Sequence, residues 1–210
     1  MLPELPPARR AILVALRKRG EARADELAHV LGVTASAARQ QLAPLAAAGL
    51  LEHRDERRGP GRPRRVYRLA PAADALFPKA YGELTSELLD HVGAEDPALL
   101  ERAFDARRRT RVAQAQARLA GLHSFEARVR ELAAILDEAG YLADVQPLED
   151  GGYRLVEHNC AIIAVARRHH HACTTELSFL REVLPGADVR RVAHIVSGSP
   201  ACVYEVRPAA

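Results

Sequence analysis

The first fifty residues constrain the fold most, because three helical stretches follow one another with almost nothing between them. Residues 8–19, ARRAILVALRKR, place Ile12, Leu13 and Leu16 at helical spacing with charge elsewhere, and Gly20 ends the run. A second short helix is expected over residues 24–31, with Leu27, Val30 and Leu31 inward and Gly32 as its stop. A third follows in VTASAARQQLAPLAAAGLL, where Thr34 is placed to cap it. Ala38, Leu42 and Leu45 form its buried stripe, leaving Ala35, Ser36, Arg39 and Gln40 on the exposed side. Pro44 cannot donate to the Gln40 carbonyl, so a kink or weakened turn is expected there.

Helix, short helix, three-residue turn and helix make the helix-turn-helix pattern, whose second helix enters the major groove by its N-terminal residues. Arg39 and Gln40 can offer paired hydrogen bonds to base edges, with Thr34 and Ser36 suited to phosphate or short base contacts. Two strands, LLEHR (50–54) and RRVYRLA (64–70), then flank DERRGPGRPR, a loop rich in Gly, Pro and Arg. Such a loop reads as a wing. Arg57, Arg58, Arg62, Arg64 and Arg65 would follow the phosphates, and Arg62 could enter a narrow minor groove. A solvated turn whose charges serve only solubility is the plain alternative. Charge separates the two: residues 1–70 hold 14 Lys+Arg against 7 Asp+Glu, and residues 71–210 hold 16 against 20. A basic N-terminal third on an acidic body points to double-stranded DNA as partner.

Residues 73–139 read as helices. One is expected over 78–93, with Leu84, Leu88 and Leu89 on one face, before a break at GAEDP. A long helix starts at Pro97 and runs to 120, with Leu100, Phe104 and Leu119 as sparse apolar positions among many alanines. A helix so patterned is expected to pack on a partner subunit. Ser124 caps a further helix with Val129, Leu132, Ile135 and Leu136 inward. One winged helix covers only a half-site, so a two-fold homodimer on a palindromic operator is expected.

Residues 140–210 alternate in character. YLADVQPL and DGGYRLVEH read as strands, CAIIAVARR and TTELSFLREVLP as helices, and VRRVAHIVSGS and CVYEVRP as closing strands. The fold class is thus mainly α with α+β. A winged helix-turn-helix (1–72) leads to central dimerisation helices (73–139) and a small α+β domain (140–210).

All three cysteines, Cys160, Cys173 and Cys202, fall in that last domain, each expected at an element edge, with Cys173 just ahead of a helix. Three is an odd number, which suits free or ligating thiols in a cytoplasmic chain better than paired disulfides. Each alone is a fair core residue. There is no CxxC, and HHH (169–171) keeps zinc in contention. A thiol-redox pair, Cys160 with Cys173, is another option. No apolar run approaches the roughly 18 residues of a membrane span, and no signal peptide is read at the N-terminus. The chain has no Gly-rich phosphate loop, GxSxG or HExxH, so no enzyme is expected.

The wing strand GRP-x3-Y-x-L at 61–69 and LFP-x2-Y-x2-L at 76–84 resemble the ArsR/DeoR-like winged-helix regulators of the SufR type, repressors of iron–sulfur assembly operons. That resemblance spans nearly the whole chain. It implies a cluster-binding C-terminal domain, with one branch spacing its cysteines C-x12-C-x13-C-x14-C. Cys160, Cys173 and Cys202 match three of these positions, and Ala187 stands at the other. The resemblance therefore implies a three-cysteine form holding a 4Fe–4S cluster rather than 2Fe–2S, and repression by the loaded protein. The fourth ligand stays open among His158, His169, His170, His171, Glu176, Asp188 and a non-protein molecule.

Overall fold

The computed structural model describes residues 4–56 and 64–208. The chain forms two compact units, Met1–Lys79 and Ala80–Ala210.

In the first unit, α1 (Pro7–Arg19) ends at Gly20, whose φ of +80° suits a residue without Cβ. A three-residue strand that the sequence patterns did not reveal, β1 (Glu21–Arg23), joins it to α2 (Ala24–Leu31). Helix α3 (Ala35–Ala47) follows a short turn. Strands β2 (Leu51–Glu56) and β3 (Arg64–Leu69) pair antiparallel, and β1 adds to the far side of β3. Ile12, Leu13, Leu16, Leu27, Leu42, Leu45 and Tyr67 build the core of this winged helix-turn-helix.

One local expectation is corrected. Val30 is exposed, because Ala24, Leu27 and Ala28 define the buried face of α2 and Val30 turns well away from it. Helix α3 runs through Pro44 to Ala47, so the hydrogen bond that Pro44 cannot make is missing from its last turn.

The second unit packs its helices on a sheet of order β4-β5-β7-β6, antiparallel throughout. The strands are β4 (Ala143–Pro147), β5 (Tyr153–Glu157), β6 (Ala187–Ala193) and β7 (Cys202–Pro208). Helix α5 (Pro97–Leu119), α6 (Phe125–Leu136) and α8 (His171–Val183) cover one face, where Leu132, Leu136, Leu155, Phe179, Leu180 and Val206 are sealed from solvent. Asp96 caps α5 and Ser124 caps α6, each accepting from a backbone N–H three residues on. Among the described residues, no helix is long and apolar enough to cross a membrane.

Helix α4 (Tyr81–Glu95) and the six-residue α7 (Ile163–Arg168) frame a smaller apolar cluster with Leu100, Phe104 and Ala172. Gly82 is what lets these helices touch, since a Cβ there would stand 2.8 Å from the Ala164 Cβ. Ser86 on α4 is buried, and its hydroxyl lies within hydrogen-bond reach of the Gly82 and Ala164 carbonyls.

Four further expectations are corrected here. The GAEDP segment stays helical up to Glu95, and only Asp96 breaks it. The apolar stripe of α5 is covered by its own chain, by α8 and α6 at one end and by α4 and α7 at the other. Leu84 and Leu88 instead face outward, because the small residues Gly82 and Ser86 mark the packed side of α4. The strand expected over 189–199 begins at Ala187 and stops at Ala193, after a bulge, and Ile195–Ser197 form a single 3-10 turn.

Leu132 lies wholly inside the main core. Leu132→Ala should lower the stability of this unit by about 2–5 kcal/mol in chemical denaturation, as large-to-small core changes do.

Candidate functional site

The first surface to consider is the recognition helix. Thr34 accepts from the Ala37 N–H at 3.2 Å, which fixes the start of α3. Thr34, Ser36, Arg39 and Gln40 lie on the same end of that helix, and all four are exposed. Arg39 borders an open hollow together with Arg23, Arg64, Arg65 and Tyr67. The positive charge of α3 and that of the wing base therefore form one patch, interrupted by Asp25 and Asp55. Asp55 approaches Arg65 at 3.6 Å, whereas Arg39 and Arg64 have no ion pair among the described residues. Arg23, which pattern reading passed over, joins the patch because β1 places it at the head of α2. Arg57, Arg58 and Arg62 lie outside the described residues.

The second site is a cavity of about 20 Å3 between sheet and helices, with all three cysteines in its wall. Cys160 comes from the turn between β5 and α7, and Cys202 is the first residue of β7. Cys173 lies within the first turn of α8, not ahead of it as expected, because the helix already starts at His171. Glu157, Glu176, Arg191, His194, Tyr141 and Tyr204 complete the polar part of the wall.

Of the residues singled out as a possible fourth ligand, only Glu176 reaches this cavity. It is already engaged: Arg111 grips its carboxylate with two hydrogen bonds of 2.5 and 3.0 Å, and that guanidinium rests on the Phe179 ring. His158 is exposed and bonds Asp144 at 2.8 Å. His169 turns toward α4, with Asp90 at 3.2 Å. His170 is exposed, and His171 stacks on Phe104. Asp188 pairs with Arg190 at 2.7 Å. His169 and His170 form the junction between α7 and α8 and His171 opens α8, so the HHH run does not act as a unit.

Glu157 is the residue sequence reading missed. It is 2% exposed at the end of β5, and register places it directly opposite Cys202 on β7. Tyr204 donates to one oxygen at a long 3.4 Å, while the other, Oε1, has no hydrogen-bond partner among the described residues. Burial, with a further push from the Glu176 carboxylate, raises its pKa to about 8. Its only sequence signal is an acid closing a strand, directly after Leu155 and Val156.

Burial likewise raises all three thiols, Cys173 to about 11. Metal-free, they are therefore neutral at physiological pH and poor nucleophiles. Opposing this, the Ile162 N–H hydrogen-bonds Cys160, and the Ile195 N–H reaches the Cys202 sulfur at 3.4 Å. N–H groups aimed at sulfur stabilise thiolates.

Among the described residues, no group of three His, Cys, Asp or Glu could hold a single metal ion. Ligands of a multi-iron cluster each serve a different iron and so ring a space instead of meeting at a point. Three thiols around one cavity, two of them with N–H donors, fit that group in kind. At about 20 Å3 the cavity has room for about one water and would have to widen to take such a group.

Residues 6–53 match the family described as bacterial regulatory protein, arsR family, a helix-turn-helix model that runs from α1 into β2. This is a family of DNA-binding regulators, not of enzymes. Among curated proteins no sequence matches the chain. A similar solved structure is the crystal structure of Bacillus subtilis PadR in complex with operator DNA, 15% identical, covering 83% of this chain and 98% of that chain. Its TM-score of 0.29 is too low to carry an argument. The match and the fold of the first unit make the chain a DNA-binding transcriptional regulator of the winged-helix kind.

Glu157 gives a pH signature. Its folded pKa stands above the ordinary 4.5, so its favourable contribution is complete below that value and is lost as pH rises through about 8. The melting temperature of the metal-free protein should fall across that interval, and Glu157→Gln should flatten the fall. A slope unchanged in the variant would assign it to another group.

Proposed function

We propose, on the premise of the arsR-family match, that the chain is a homodimeric repressor whose hold on a palindromic operator is governed by an iron–sulfur cluster in the thiol cavity. The preferred cluster is 4Fe–4S, and the proposed targets are iron–sulfur assembly genes, repressed by the loaded form. One observation carries this reading: Cys160, Cys173 and Cys202, from three separate elements, line one cavity. When bound, such a group supplies a thiolate-anchored centre that oxidants or iron shortage can remove.

The chain's own residues supply the rest. Cys160 leads directly into α7, and α7 bears α4 through the Gly82–Ala164 contact. Asp90 of α4 also binds both Arg168 and His169 at the end of α7. Parting the turn at Cys160 therefore shifts a helix on which α4 rests. The outer side of α4 exposes Tyr81, Leu84 and Leu88 at 69%, 53% and 57%, on one helical face. An apolar stripe of this kind suits a two-fold contact with a second copy, and joining two copies pairs two recognition helices across an operator. Arg39 and Gln40 would read bases, with Thr34, Ser36, Arg64 and Arg65 on phosphates.

The raised thiol pKa values weigh against a simple thiol-redox switch, which needs a thiolate. They also imply that loading releases protons, so occupancy should rise with pH.

The protein purified anaerobically should show a broad visible absorption with iron and acid-labile sulfide. Cys160→Ser, Cys173→Ser and Cys202→Ser should each abolish it. A colourless protein with stoichiometric zinc would replace this reading by a zinc-responsive repressor. On DNA, Arg39→Ala should cost about 1–3 kcal/mol and relax base preference. Arg64→Ala with Arg65→Ala should weaken binding to all sequences and flatten the salt slope by about one unit for each phosphate no longer neutralised. Operator binding untouched by either change would refute the assigned interface.

A further inference from the structure

We propose that Glu157 is the protein's fourth ligand at the thiol cavity, its free carboxylate oxygen completing the set of Cys160, Cys173 and Cys202. The inference rests on the cluster reading above and assigns the position that Ala187 cannot fill.

Placement comes first. In the antiparallel β5–β7 pair Glu157 faces Cys202 directly, and directly opposed residues present their side chains on the same side of a sheet. The chain then turns through Cys160 only three residues later. Glu157 is thus held by the strand ladder opposite Cys202 and three residues before Cys160, and its side chain lines the cavity that the three thiols share.

Uncommitted capacity comes second. A carboxylate inside protein ordinarily has its oxygens filled with donors, because leaving one empty costs free energy. Glu157 is 2% exposed, and its Oε1 has no donor among the described residues. Arg111, which faces this pair of acids, spends its donors on Glu176. A buried acid left half-satisfied beside three thiols is explained if a cation completes it.

Elimination comes third. Glu176 is clamped by Arg111, and the histidines at 158, 169, 170 and 171 and Asp188 lie outside the cavity wall. His194 does line the cavity, but it is partly exposed and its Nδ1 already meets the Ser197 hydroxyl at 3.2 Å. Solvent can satisfy His194, whereas burial keeps it from Glu157.

The chemistry is ligand exchange. The neutral Glu157 carboxylic acid would give its proton to bulk water, as the thiols would, and the carboxylate oxygen so formed would take the place of solvent on one iron. Oxygen is the harder donor of the set and binds iron more weakly than thiolate, so the iron it holds is the one a chelator or oxidant reaches first.

The test loads the full chain anaerobically with ferrous iron and sulfide, and follows chromophore, iron content, Mössbauer spectrum and the rate of iron loss to a chelator. Wild type should show one iron site unlike the others. Glu157→Cys should make the sites alike and slow iron loss about tenfold, and Glu157→Gln should speed it about tenfold, the scale of effect that changes around a metal produce. Far-UV circular dichroism checks that both variants fold, and Glu157→Gln preserves side-chain shape. If wild type loads while both variants match its spectrum and loss rate, the ligand assignment is wrong and the cluster reading stands. If His194→Ala reproduces the loss expected of Glu157→Gln, the ligand is His194. A wild type that takes up no chromophore overturns both readings.

Discussion

The second unit hangs on the pairing of β5 with β7. These strands are the middle of the four-stranded sheet, and their register puts Leu155 against Tyr204 and Glu157 against Cys202. Within each strand, side chains two apart share a face. The same ladder therefore builds the core under α6 and α8 at one end and opens into the thiol cavity at the other. A slip of one residue would turn Leu155 and Tyr204 out of the core and separate Glu157 from Cys202 together. Stability and site geometry are selected by one set of hydrogen bonds.

The cavity also shows how two acids with the same chemistry come to differ. Glu176 meets a guanidinium held on an aromatic ring, and both its oxygens are occupied. Glu157, one strand end away, has only a distant phenol. Burial beside a second carboxylate, without an arginine of its own, makes Glu157 the acid that is hard to ionise. The thiols experience the same desolvation. Burial thus holds one acid and three thiols of a single wall in their neutral forms.

The contact between α4 and α7 rests on small residues. Gly82 and Ala164 bring α4 and α7 to a distance that no larger pair allows, and Asp90 ties their far ends. With α7 only six residues long, its position depends on what flanks it, and Cys160 and the histidine run are its flanks. The face of α4 turned away from α7 is the one that stays apolar and exposed. Packed helices of this kind shift as bodies, which is the physical premise of the proposed control.

Local signals were enough for much of this protein. Glycine stops, the Thr34 and Ser124 caps and the Leu42–Leu45 stripe depend on neighbours within a few residues, and periodicity exposes them. The helix-turn-helix, the longer helices and most of the strands are of this sort. Strand β1 was too short to show a period, and Val30 and Leu84 look alike as apolar helical residues until their neighbours are known. The clustering of cysteines toward the C-terminus was visible in the chain; which acid stands among them was not. Glu157 and the histidines at 169–171 differ in placement because a strand register carries the first into the cavity while the junction of α7 with α8 keeps the others out of its wall. Residue type and spacing thus settle what each segment can become, whereas only long-range pairing decides which side chains, distant in sequence, are buried together without enough partners.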